Sequence, residues 1–204
     1  MVNYLIVIFA ITLIYFASAE RFIIYINLLA IQGLLLCGIA LFELTEVNTL
    51  NLLLIASETL FIKTLLVPYM LKRIMKKSGV EKVHRQAMPA FYQLLIIIAG
   101  LFAAVIIADS IPNPYVNTFF MAVSLFTLFT GLLLIVTHKL IFSHITGFLI
   151  LENAVFLFSI AVGNEMPMMI NIGILLDIFV GVLIIGYFGL RLKPRTNELT
   201  ILKD

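Results

Sequence analysis

Residues 90–108 read AFYQLLIIIAGLFAAVIIA, nineteen residues without a single charge, and this stretch decides the fold. At ~1.5 Å per residue a helix of that length covers about 28 Å, close to the ~30 Å hydrocarbon core of a bilayer. The rest of the chain agrees. Hydrophobic residues make up 63% of the sequence, charged residues 12%, and the mean hydropathy is +1.17. Soluble domains average about 25% charged residues. A chain so poor in polar groups cannot cover itself for water, so its solvent is lipid. The formal net charge of +2 is small. No clustered basic face of the kind that binds nucleic acid is present.

Working outward from residue 90, breaks at charged or Pro/Asn-rich points divide the chain into seven apolar stretches. These are Asn3–Ser18, Phe22–Phe42, Thr49–Leu71, Ala90–Ala108, Asn117–Thr137, Ser143–Val162 and Pro167–Leu190. The expectation is an all-α, polytopic bundle of about seven transmembrane helices. A three-span segment, 1–71, and a four-span segment, 90–204, flank a basic loop at 72–89. That loop holds Lys72, Arg73, Lys76, Lys77, Lys82 and Arg85, and it anchors the topology while attracting anionic headgroups.

Charge sets the expected orientation. Arg21, the Lys72–Arg85 group, Lys139, Arg191, Lys193, Arg195 and Lys203 all fall after odd-numbered spans, and they are twelve of the 13 basic residues. The alternate loops hold Glu43, Glu46, Asp109 and Glu165 and no basic residue. Positive-inside reasoning puts the N-terminus outside and the C-terminus in the cytoplasm. The start resembles a signal peptide, with an apolar run before Ala17-Ser18-Ala19, but its n-region carries no positive charge. Cleavage after Ala19 would also put the six-charge loop outside, so no cleavage is expected.

The remaining basic residue, Lys63, lies inside a span, as do Glu58, Glu152 and Asp177. Each costs at least ~2.5–3.5 kcal/mol on insertion scales, so four together point to function. At ~1.5 Å per residue, Lys63 and Glu152 lie roughly 12–14 Å from the cytoplasmic ends of their spans, and Glu58 and Asp177 roughly 20 Å. Spans six and seven are antiparallel neighbours, which brings Glu152 and Asp177 to comparable depth. Helical side chains lean toward the helix N-terminus, so Lys63 leans away from the nearer interface and calls for a buried partner or a water cavity. Pro68 frees backbone nearby. Glu58, five residues from Lys63, is a poor partner in α-helical geometry, about 140° round the helix. Two readings stand: interhelical ion pairs that lock the bundle, and a column of charges that passes protons. The number and similar depth of the charges favour the second.

Other polar residues carry less. His138 and His144 flank a short loop at the cytoplasmic ends of spans five and six, where they suit proton intake better than haem ligation. Asn153 is placed to bond a neighbouring helix, and Ser124, Thr127 and Thr130 are packing residues. The lone Cys37 allows neither a disulfide nor an iron–sulfur cluster within the chain.

Three stretches then read together: Phe61-Ile62-Lys63-Thr64-Leu65-Leu66-Val67-Pro68, Gly147-Phe148-Leu149-Ile150-Leu151-Glu152-Asn153 and Asn171-Ile172-Gly173-Ile174-Leu175-Leu176-Asp177. With the terminal Asn197–Lys203, they resemble, in order and spacing, the component E subunits of hydrogenase-4. The C-terminal part, about residues 143–190, is similar to the NuoK-type subunit of respiratory complex I. In that subunit, successive helices each carry one membrane glutamate of a charged axis. Glu152 falls on the first position, and Asp177, a shorter side chain, on the second. Lys63 and Pro68 match the hydrogenase-4 element, and Glu58 matches nothing in the pattern. The resemblance implies a cytoplasmic-membrane subunit of a group 4 nickel–iron hydrogenase, with no catalytic site or cofactor of its own. The nickel–iron centre and iron–sulfur clusters would sit on partner subunits. Its implied partners are antiporter-like membrane subunits, a complex I-like subunit leading to the peripheral arm, and the hydrogenase large and small subunits.

Overall fold

A computed structural model describes residues 2–19, 21–43, 53, 56–78, 89–111, 114–138 and 141–163, and every element among them is a helix. In chain order they are α1 (Val2–Ser18), α2 (Phe22–Glu43), α3, α4 (Ala90–Asp109), α5 (Thr118–Thr137) and α6 (Ile141–Val162). Helix α3 has two parts, a π-helical segment, Glu58–Leu66, and an α-helical one, Val67–Ser78. The stretches Phe22–Glu43, Phe91–Asp109, Thr118–Thr137 and Phe142–Val162 are long and apolar enough to cross a membrane, and Val2–Phe16 is a shorter apolar helix. The chain is therefore a multi-pass membrane protein whose described elements are all helices. The seventh expected span, Pro167–Leu190, lies outside the described residues.

Local chemistry sets the helix ends. Asn117 caps α5 by accepting from the backbone N–H groups of Phe119 and Phe120 at 3.2 and 3.4 Å. Pro89 stands just before α4, where its missing N–H costs nothing. Gly163, at φ 67°, closes α6 in the left-handed conformation that glycine adopts freely.

Helix α3 departs twice from expectation. It does not stop at Leu71 but runs on through Lys72, Arg73 and Lys76 to Ser78, so the first part of the expected 72–89 loop is helical. The reason is amphipathic: Val67 and Leu71 are buried while Lys72, Arg73 and Lys76 face outward, and Lys, Arg, Leu and Met all favour helix. The second departure is the π ladder, in which the Val67 N–H reaches the Ile62 carbonyl, five residues back. The wide ladder ends one residue before Pro68, whose ring in an α-helix would press on the carbonyl of residue 64. Its i→i+5 register also removes the α-helical premise that set Glu58 and Lys63 about 140° apart.

Helix α2 is the hub, packing on α1, α3 and α6, while α5 packs on α1, α4 and α6. The interior is built from fully buried side chains such as Phe9, Leu13, Tyr25, Leu36, Phe126 and Ile150. Glycines allow the closest approaches. A Cβ on Gly131 would stand 2.9 Å from the Gly147 carbonyl oxygen, and one on Gly147 would stand 2.8 Å from that of Gly131, so α5 and α6 touch backbone to backbone. Likewise a Cβ on Gly33 would meet Thr64 Oγ1 at 2.7 Å and the Lys63 carbonyl carbon at 3.1 Å. The absence of a side chain there lets α2 lie directly against the turn that carries the lysine.

Candidate functional site

The π segment and α6 each bring one charge to the flank of α2. Lys63 Nζ lies 2.7 Å from Glu152 Oε1, and the two side chains are only 10% and 6% exposed. The pair joins residues 89 positions apart in the chain, from two of the stretches singled out above. Phe156, one turn beyond Glu152 on α6, places its ring centroid 5.1 Å from the same ammonium. Lys63 is thus held between a carboxylate and an aromatic face, which together offset part of the cost of burying a cation. The second carboxylate oxygen, Oε2, has no hydrogen-bond partner among the described residues.

Next to the ion pair runs a string of amides and hydroxyls. Asn153 Nδ2 donates to Gln32 Oε1 at 3.1 Å, Gln32 Nε2 donates to Thr12 Oγ1 at 2.9 Å, and Thr12 donates to the Phe9 carbonyl at 2.6 Å. Each link is buried, and Gln32 is fully so. The string ties α6 through α2 to α1. Because Thr12 gives its only proton to Phe9, the direction of the whole chain is fixed, and with it the orientation of both amides. Asn153 bonds a neighbouring helix, as its position in the sequence suggested. Between the string and the ion pair is a cavity of about 10 Å³ lined by Leu29, Lys63, Val67, Leu149, Glu152 and Asn153.

Of the other sequence-derived residues, Asp177 lies outside the described residues. Glu58 opens the π segment, and its side chain lies outside them too. His138 caps α5 and is buried, 2% exposed. Its Nδ1 lies 3.2 Å from the Leu134 carbonyl, and its Nε2 lies 3.4 Å from the Tyr25 hydroxyl on α2. Nδ1–H donation to that carbonyl leaves Nε2 to accept from tyrosine. Burial holds the imidazole below its ordinary pKa; the Leu134 carbonyl opposes this and nearby His144 adds to it. His144 is half-buried in the first turn of α6. The rings of Phe16 and Phe22 pack on Tyr25, and Phe142 packs on Phe22, to complete this end of the bundle.

The hydroxyls of Ser124, Thr127 and Thr130 bond carbonyls three or four residues back, as packing residues do in apolar helices. Among the described residues no three or more His, Cys, Asp or Glu side chains are grouped to hold a metal ion. Sequence reasoning passed over Gln32, Thr12 and Phe156. For Gln32 a signal existed, since an amide at the middle of an apolar span needs a partner. Nothing local marks Phe156 apart from other phenylalanines.

Fold and site together define a class: a polytopic helical membrane protein with a buried lysine–carboxylate pair set in a polar string. Searches of protein-family models, curated proteins and solved structures give no match to the chain.

Proposed function

We propose that the chain is a membrane subunit of a group 4 nickel–iron hydrogenase complex of the hydrogenase-4 kind. In it, Lys63 and Glu152, with Asp177, belong to a buried polar path coupling redox chemistry in a peripheral arm to ion movement through antiporter-like subunits. The observation that carries this reading is the 2.7 Å ion pair, which unites the Lys63–Pro68 and Gly147–Asn153 elements of the resemblance at one buried point. In this assembly the chain has seven spans in the cytoplasmic membrane, with its N-terminus outside and its C-terminus inside. Electrons stay on the hydrogenase large and small subunits, and a complex I-like subunit joins them to the membrane part.

The residues here suit proton handling. A lysine and a carboxylate in contact can share one proton between two atoms without changing the net charge of the pair, so its position can respond to a charge arriving from either side. Glu152→Gln and Asp177→Asn are expected to leave the complex assembled while ion movement is uncoupled from turnover, measured in proteoliposomes holding the whole complex. If both variants assemble and translocate normally, the proposal fails.

A second reading is favoured by the way the ion pair clamps α3 to α6: the chain is a membrane anchor, and the charges lock its helices. Under it the same substitutions reduce the yield of intact complex rather than the coupling ratio. Membership of another complex I-like or cation/proton antiporter assembly would show in the identity of co-purifying subunits.

A further inference from the structure

We propose that the cavity beside Glu152 is a single-water site, and that this water makes the site one for protons and not for sodium. The first half stands on geometry alone; the second rests on the conducting role proposed above.

The walls are mainly apolar, from Leu29, Val67 and Leu149 together with the side-chain stems, and Lys63, Glu152 and Asn153 supply the polar groups. The volume of about 10 Å³ is close to the room one water needs. A buried water is stable when it has two to four polar partners, and three polar side chains line this space. One of them has an unmet requirement: Glu152 is 8% exposed, and its Oε2 has no hydrogen-bond partner among the described residues. A buried carboxylate oxygen left bare is costly, and a water donating to it removes most of that cost.

The string sets the third contact. Gln32 engages the Asn153 nitrogen at 3.1 Å, so the amide is held with its carbonyl oxygen as the group turned away from α2. The water therefore donates to Glu152 Oε2 and to Asn153 Oδ1, and accepts from the Lys63 ammonium. Gln32 and Thr12 act as positioning residues, because they touch neither the cavity nor the ion pair yet decide which end of Asn153 the water meets.

Ion choice follows from charge and ligand number. A sodium ion asks for a fuller shell of oxygens than Glu152 and Asn153, the carboxylate and amide oxygens among the described lining residues, can supply. It would also sit against an ammonium already paired with Glu152, the one anion among the described lining residues, and like charges at such distances repel strongly. A proton carried on the water's hydrogen bonds needs neither extra ligands nor extra volume.

The test uses the full-length chain in lipid bilayers with ¹³C-labelled glutamate and asparagine, reading magnetisation transfer from water to the Glu152 carboxyl and the Asn153 amide by solid-state NMR. The Glu152 signal is assigned by its loss in Glu152→Gln. Transfer is expected in the wild type and should be abolished by Val67→Leu, which adds one methylene to the cavity wall; Leu29→Phe is the second filling variant. Gln32→Leu should abolish transfer to the Asn153 side chain while the Lys63–Glu152 contact persists. No transfer in the folded wild type, or transfer unchanged in a folded filling variant, overturns the water site, as does a protein side chain found on Oε2. Sodium binding to the same bilayers, measured with ²²Na⁺, is expected to be the same in wild type and Glu152→Gln. Binding lost with Glu152 overturns the ion assignment. Neither readout depends on coupling, so failure of the proposed function is seen separately in the translocation assay.

Discussion

Replacing Lys63 by methionine removes the ammonium, keeps most of the apolar stem and strands Glu152. At the observed 2.7 Å, the gross attraction is about 6 kcal/mol for an effective dielectric near ~20. Side-chain exposures of 10% and 6% leave little water to screen it. Removing one partner exposes the desolvation cost of the other, so the expected loss is ~3–5 kcal/mol. Loss of the ammonium–ring contact with Phe156 adds ~0.5–2 kcal/mol. Against a typical total stability of about 5–15 kcal/mol, Lys63→Met should be severe. Replacing both charges, Lys63→Met with Glu152→Leu, leaves no stranded charge and should recover at least about 2 kcal/mol of the summed single losses. The assay is equilibrium unfolding in mixed micelles, read by circular dichroism. A Lys63→Met chain within ~1 kcal/mol of wild type, or a double variant as unstable as the sum of the singles, would refute the claim that these two charges depend on each other.

Gln32→Leu orphans the Asn153 donor, and the same unfolding assay should show a loss of ~1–3 kcal/mol, non-additive with Asn153→Leu. Gly147→Ala places a Cβ 2.6 Å from Ile135 Cγ1 and 2.8 Å from the Gly131 carbonyl oxygen, so α5 and α6 must part despite alanine's better helix propensity. A net destabilisation of ~1–3 kcal/mol is expected, visible as a lower melting temperature. For His138, the folded pKa is depressed, so below about pH 6.5 the unfolded chain takes up a proton that the folded chain refuses. The stability tied to neutral His138 is complete above that pH and falls as the pH drops toward 5. His138→Gln should flatten the profile of unfolding midpoint against pH over that window.

Span positions were legible because apolar length is a one-dimensional property. The expected Phe22–Phe42 and Ala90–Ala108 each differ from the helix by a residue at one end, and Asn117 turns out to be the cap of the helix it was expected to begin. Depth was legible for the same reason: counting along the helices put Lys63 and Glu152 at a common level, and the lysine called for a buried partner or a water cavity. What counting could not supply was azimuth. The expectation looked from Glu152 toward Asp177 on the adjacent span, whereas the described contact runs to Lys63. Which side of α3 the lysine takes depends on a change of ladder near Pro68, and no periodicity calculated at 3.6 residues per turn contains it. The Gln32–Thr12 string was hidden for another reason. Two uncharged residues in separate helices make no local pattern, and only packing α1 on α2 brings them together.

The wide ladder has a consequence for how such a site is gained or lost over generations. Between residues 58 and 66 each turn holds more chain than an α turn does. Deleting one residue ahead of Lys63, with the ladder left wide, would turn the two sides of the deletion by roughly 80–100° relative to one another. The bearing of the lysine is thus written partly in how many residues precede it, not only in which residue stands there. A single-codon deletion could unmake the charge pair while every named side chain survives, and the reverse insertion could create it in one step.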